Sequence, residues 1–364
     1  MVDFFRKYLL PGLIFQSVVI GGGYATGREL VEYFFPTGPI GGLLAMAVAT
    51  IVWSISLALC FEVARITKSY DYRSFFKVML GRGWVAFEVA YIALIVLVLS
   101  TLGAASGEIA ALNLGIDPIW GTLAMMVIIA VLVFYGSAVL EMFMAGWSFL
   151  LYASYAIFVV FCFQAFGSDI SHAFSVAEVQ PGWFMGGLQY SGYNLASFAA
   201  VLFCIRHLTS RKQAIGAGLL AGPIAMIPGF LFFVAMVGFY PEIKEQSLPV
   251  AHLLSVLNIP LFKVLFEIIL FGTFIETGAA LIHAINERVA EVYHEKGRVL
   301  EPWVRPAIAI GTLFVSVVLA AKVGLVNLIA QGYGTITYVF IVLIIVPLCT
   351  VGIKRILAHK GEAA

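Results

Sequence analysis

Apolar residues run through this chain in long blocks of about 20 or more, broken by short polar stretches. A helix rising about 1.5 Å per residue needs about that many to cross the hydrocarbon core of a bilayer. The blocks fall at roughly 8–35, 38–66, 83–114, 118–136, 142–166, 183–207, 212–238, 259–293, 304–322 and 326–355, which predicts about ten crossings. The faintest boundary is the last, where only Lys322, Gly324 and Asn327 interrupt the apolar run. The connection at about 68–82 is different: Tyr70–Leu80 mixes basic and aromatic residues. It predicts a short helix lying on the membrane surface, with a plain solvated loop as the alternative.

The pattern describes an all-α membrane protein, and composition supports it. Hydrophobic residues make up 62% of the 364 positions and charged ones 11%, beyond what a soluble chain of this size could bury. Placing the N-terminus in the cytoplasm puts 17 of the 21 lysines and arginines on the cytoplasmic side, three outside and Arg28 within a span. That bias predicts a multi-pass protein of the bacterial inner (plasma) membrane with both termini cytoplasmic. Arg6 and Lys7 lead into the first block with no small-residue cleavage pattern, so the first span is expected to be retained. Net charge is +1, which carries no nucleic-acid footprint. The four cysteines lie inside apolar blocks and read as small hydrophobes. The expected partners are the lipid bilayer and a small-molecule solute. Association as a homodimer is left open.

Two blocks contain a patch that ordinary helix does not favour. The first carries Gly21-Gly22-Gly23-Tyr24-Ala25-Thr26-Gly27, and each glycine weakens a helix by about 1 kcal/mol relative to alanine. The sixth carries Gly186-Gly187-Leu188-Gln189-Tyr190-Ser191-Gly192-Tyr193-Asn194. Gly23-Tyr24 echoes Gly192-Tyr193, and Gly42-Leu43-Leu44-Ala45 echoes Gly218-Leu219-Leu220-Ala221, at offsets of 169 and 176 residues. Five spans separate the members of each pair, so the halves would be oppositely oriented. This is the pattern of an inverted repeat with two interrupted helices meeting near mid-membrane. Irregular backbone survives at that depth only where it lines a cavity or binds something. The competing explanation is close helix packing, which glycine also serves, and it is favoured for Gly103 and Gly107.

Gly21–Glu29 (GGGYATGRE) and Phe271–Arg288 (FGTFIETGAALIHAINER) resemble the amino acid–polyamine–organocation (APC) superfamily with the LeuT fold, and within it the YkvI-type amino acid permeases. The resemblance implies a five-plus-five inverted repeat, with halves at about 8–166 and 183–355, broken helices 1 and 6, and alternating access. It implies a central site between spans one, three, six and eight, and an outer counterpart of the surface helix around Pro241–Leu257. The substrate contacts expected there are Gly22, Gly23, Tyr24, Ala25, Thr26, Ser191, Gly192, Tyr193 and Asn194. The superfamily's sodium site uses first-span carbonyls and eighth-span hydroxyls. Here that points to Gly21, Tyr24, Thr273 and Thr277.

Acids at membrane depth supply the remaining chemistry. Charges there are expensive, so they pair or function. Arg28 and Glu32 are spaced to pair on one helical face, and Glu29 points about 100° away and needs its own partner. Glu276 lies between Thr273 and Thr277, a candidate proton carrier or an aid to cation binding. Arg28, Glu29, Glu32 and Glu276 are therefore the coupling and gating candidates, and the coupling ion is Na+ or H+. Metal-ligand spacing, phosphate loops and nucleophile motifs do not occur, so no cofactor and no enzyme is expected. The functional expectation is an ion-coupled secondary transporter of a small polar solute, most simply an amino acid or related zwitterion. The rivals are a proton-coupled carrier of a cationic or mainly apolar solute, and a membrane-embedded enzyme or sensor on the same fold.

Overall fold

The computed structural model describes residues 2–135, 137–295, 297, 301 and 303–362, and they are helical almost throughout. Among them seven segments are long and apolar enough to cross a membrane: Arg28–Thr67, Tyr72–Leu114, Leu150–Ser175, Arg211–Val237, Pro260–Ala290, Val304–Val323 and Leu325–His359. The shorter apolar helices lie where the chain is interrupted or ends early. The first is α1 (Leu10–Val19), which gives way to a four-residue turn of helix, α2 (Gly22–Ala25), and then to α3 (Arg28–Phe34).

After these come α4 (Gly38–Thr67), α5 (Tyr72–Leu80), α6 (Trp84–Leu114), α7 (Pro118–Tyr135) and α8 (Ser137–Ser175). The second half holds α9 (Trp183–Asn194), a 3₁₀ stretch over Leu195–Ala200, α10 (Leu202–Ile205), α11 (Arg211–Val237), α12 (Pro249–Leu257), α13 (Pro260–Glu295) and α14 (Val304–Val323). A last rod, 325–362, mixes α turns with π turns. Gly324 adopts φ +76°, which lets the chain turn between α14 and that rod at the faint boundary in the sequence.

The inner layer is built by exchange. α4 lies along α11, α1 packs on α11, and α9 packs on α4. Small residues allow the close approach: a Cβ at Gly218 would strike the Ala58 backbone and one at Gly222 the Ser54 hydroxyl. Ser54 donates to the Leu219 carbonyl at 3.0 Å, and the Trp53 indole donates to the Ser191 carbonyl at 3.2 Å. α6, α7, α8, α13 and α14 pack among themselves as a second layer. Outward faces carry exposed apolar side chains such as Ile51, Val127, Ile310, Phe314 and Val342, as lipid contact requires.

The two ends of the molecule differ. One gathers Arg6 against His207, Arg355 on the Val78 carbonyl, and Arg288 paired with Glu88 and stacked over Tyr72. α5 lies at this end, capped by Asp71, whose carboxylate accepts from the Ser74 amide at 2.8 Å. Its Phe75, Phe76 and Met79 are buried, so one face of this short helix packs on the protein. Lys296 and Arg298, counted with this basic end in the sequence, lie outside the described residues. The opposite end carries 3₁₀ turns over Glu242–Glu245 and α12, which meet the first broken helix through the Val250 amide on the Thr26 carbonyl.

The sixth block corrects the sequence expectation. Ser191, Gly192, Tyr193 and Asn194 do not form the interruption; they finish α9, and the irregular backbone follows at 195–201. The glycines serve packing. A Cβ at Gly186 would meet the Tyr33 carbonyl, at Gly187 the Ala45 carbonyl, and at Gly192 the Thr337 side chain.

Candidate functional site

The break in the first helix is local chemistry. Ile20 leaves helical geometry with ψ 78°, and the Gly21 amide folds back on the Val19 carbonyl at 2.8 Å. Three successive glycines hold little preference for helix, so the chain is free to make that bend. Gly27, at φ +81°, makes the second bend, a conformation that a side chain would strain. α3 then starts with Arg28 and Glu29 on different faces.

Arg28 and Glu32 pair at 2.6 Å on one face of α3. The Arg28 guanidinium also donates to the Lys244 carbonyl at 2.9 Å and the Gln246 carbonyl at 3.0 Å, so it pins α3 to the 242–248 segment. Glu108 accepts from Ser247 in the same neighbourhood. These contacts close the end of the molecule that carries α12.

Glu29 turns the other way. Its side chain is buried, 3% exposed, and its Oε2 accepts the Tyr193 hydroxyl proton at 2.5 Å. The backbone amide of Tyr24 donates to the same carboxylate. The carboxylate lies over Gly23, where a Cβ would collide with it. This explains why position 23 has no side chain, a constraint separate from the bend itself. Tyr193 is held in turn by stacking on Tyr333 at 4.7 Å between ring centroids.

Below this pair opens a cavity of about 520 Å³, a size suited to a small organic molecule. Glu29, Tyr193 and Asn194 form its inner end, beside the Ile20–Gly21 bend. Thr273, Glu276 and Thr277 of α13 form one wall, with Tyr152 of α8 next to them. Tyr91, Leu94, Ile95 and Val98 of α6 and Tyr333 of the last rod form the other. The cavity reaches Ser17, Val18, Ala280 and Leu281, and Ser17 and Val18 are exposed. Tyr91 stands one turn from Glu88, and Leu281 seven residues before Arg288, so the cavity extends toward the basic end and away from the Arg28 contacts.

The structure thus gathers Gly21, Glu29, Tyr193, Asn194, Thr273, Glu276 and Thr277 of the residues expected from sequence. The Thr273 hydroxyl donates to the Ile269 carbonyl at 2.9 Å, which leaves its lone pairs able to face a hard cation. Gly21 and Thr277 line the same space, so an oxygen-rich cation site fits these residues.

The other expected residues sit mostly in the turn at the helix break or in helix contacts. Gly22 opens the small turn Gly22–Ala25, and Gly23 and Ala25 within it do not line the cavity. Tyr24 does not line it either: its ring is buried and its carbonyl accepts the Gly27 amide at 2.9 Å. Thr26 donates to the Gly23 carbonyl at 3.0 Å and belongs to the turn. Ser191 donates to the Leu188 carbonyl at 2.9 Å, and Gly192 packs on Thr337. Asn194 donates to the Tyr190 carbonyl at 3.0 Å while still bordering the cavity. Arg28 and Glu32 stand apart from the cavity, in the contacts that close the far end.

Sequence reasoning missed Tyr91, Tyr152, Ser197 and Tyr333. Each is a lone tyrosine or serine, indistinguishable in one sequence from a packed aromatic or a helix hydroxyl.

Compared by sequence, the chain matches no family profile and no curated protein. Compared by structure, it is similar to MhsT in complex with L-phenylalanine, at 15% identity and TM-score 0.55, covering 97% of this chain and 98% of that one. It is similar also to the Eremococcus coleocola manganese transporter, at 13% identity and TM-score 0.55, covering 94% of this chain and 78% of that one. At such identities the likeness speaks for architecture alone. Continuous over nearly the whole chain, it gives this protein the fold of the LeuT-type transporters.

Proposed function

We propose that this chain is an ion-coupled secondary transporter working by alternating access. Its solute is a small polar organic molecule, in the class that runs from amino acids and related zwitterions to organic amines. The observation that carries the reading is the cavity beside the Ile20–Gly21 bend: it extends toward the basic end, where Ser17 and Val18 are exposed, and away from the Arg28 contacts with the Lys244 and Gln246 carbonyls. A pocket reachable from one end only, with a polar seal of few bonds at the other, is one half of an alternating-access cycle.

Several features support the finer parts of this reading. Ten crossings result if the α1–α3 path, α7 and the α9–α10 path join the seven long apolar segments. The exchanged packing of α1 on α11 and α9 on α4 fits inverted halves at about 8–166 and 183–355, and α5 and α12 lie at opposite ends as such halves require. The basic end is the cytoplasmic one by the excess of lysine and arginine. The conformation is then inward-facing. Membership of the amino acid–polyamine–organocation superfamily, near the YkvI-type permeases, rests on the Gly21–Glu29 and Phe271–Arg288 stretches. The coupling ion is Na+ at Gly21, Thr273 and Thr277, or H+ carried by Glu276.

The test is uptake into proteoliposomes of labelled alanine, phenylalanine and phenethylamine, with an imposed sodium gradient, a proton gradient or neither. Accumulation above equilibrium under one gradient alone is the expected result. Equilibration indifferent to both gradients, or no uptake of any of the three, overturns the proposal.

A further inference from the structure

The lining of the cavity carries a charge imbalance that narrows the solute. Its charged side chains are Glu29 and Glu276; no lysine, arginine or histidine lines it among the described residues. Four tyrosine rings, Tyr91, Tyr152, Tyr193 and Tyr333, border the same space. An amino acid brings an ammonium group and a carboxylate in equal number. Here the ammonium has two acidic side chains to meet, and the carboxylate has no basic one.

Two donors beside the helix break are also taken. In this chain Glu29 itself accepts the Tyr193 hydroxyl and the Tyr24 amide, 3% exposed and folded over Gly23. The Tyr193 hydroxyl and the Tyr24 amide, which could receive a solute carboxylate, already hold one, tethered to the protein. A second carboxylate would be set against Glu29 at close range in a medium of low dielectric, where like charges repel strongly.

We infer that the Glu29 carboxylate occupies the anion position of this site, so that the cavity takes an organic amine with an apolar body and no carboxylate of its own. The inference rests on the transport reading above and assigns its solute class. The ammonium group meets Glu29 and Glu276, an arrangement that offsets the burial of the Glu29 carboxylate. The tyrosine faces receive the cation and the apolar body.

Phenethylamine and L-phenylalanine differ by the carboxylate alone and make the matched probes. The experiment is the melting temperature of purified full-length protein with each, in potassium and in sodium salts, because the usual organic sodium substitutes are themselves amines. Phenethylamine is expected to raise the melting temperature by roughly 2–4 °C near a hundredfold excess over its dissociation constant. L-phenylalanine is expected to act at least about tenfold more weakly in both salts. Glu29→Gln should weaken phenethylamine by about 10- to 100-fold, the worth of one charged hydrogen bond. It should also narrow the gap between the two probes. L-phenylalanine stabilising as well as phenethylamine in either salt overturns the inference, and so does the absence of any shift with phenethylamine. The wild-type comparison decides even where the variant misfolds. The transport reading fails differently: phenethylamine would bind but stay outside the proteoliposomes.

Discussion

The seal at the α12 end sets how strongly the protein favours its present state, and it can be removed cleanly. Arg28 makes two bonds across the closure, to the Lys244 and Gln246 carbonyls at 2.9 and 3.0 Å, and one within α3 to Glu32. Replacing Arg28 alone would strand Glu32, so the informative variant is the double substitution Arg28→Met with Glu32→Gln, which removes both charges. A hydrogen bond from a charged donor contributes about 1.5–3 kcal/mol. The two bonds that part on opening at this end therefore contribute about 3 kcal/mol at the lower bound. That corresponds to about a hundredfold change in the ratio of the two states. The readout is maleimide labelling of Val18→Cys, at the open mouth of the cavity, with the exposed Cys349 replaced by serine. The labelling rate follows the fraction of molecules open at that end, so the double variant should label many times more slowly. A rate equal to that of the parent, in a variant with unchanged chromatographic behaviour, would refute the assignment of Arg28 to the closed end.

Glycine substitutions separate packing from flexibility. Gly187→Ala drives a Cβ into the Ala45 carbonyl and should lower stability by about 1–3 kcal/mol, seen as a drop in melting temperature, whereas Gly311→Ala, with open space around it, should be neutral or stabilising by up to about 1 kcal/mol. Thr273→Ala should abolish any sodium-dependent rise in melting temperature, and Glu276→Gln should leave it in place if the ion is sodium but remove proton-driven uptake if the ion is H+. Asp71→Ala, which loses the cap of α5, should cost about 1 kcal/mol by thermal melting without altering the cavity's access to maleimide.

How much of this was readable beforehand depends on how each feature is encoded. The seven long apolar segments were legible because bilayer thickness demands long apolar runs, and the first break because consecutive glycines have few other uses. The sixth block misled because glycine has two meanings. Gly186 and Gly187 let α9 press on the Tyr33 and Ala45 carbonyls, and the irregular stretch that follows, Leu195–Ala200, contains no glycine or proline. The Arg28–Glu32 pair could be read from spacing alone, and Glu29's need for a partner from its angle on the helix. Its partner Tyr193 could not, since 164 residues separate them and only the packing of α3 against α9 brings them together.

The way Arg28 is caught has a consequence for how this surface can drift. Its acceptors on the 242–248 segment are main-chain oxygens, so the side chains of Lys244 and Gln246 are spectators to the latch. Any residue that preserves the path of the backbone there serves equally well. That loop is then free to change its chemistry, and with it whatever meets this end of the protein, while the contact beneath keeps the same grip.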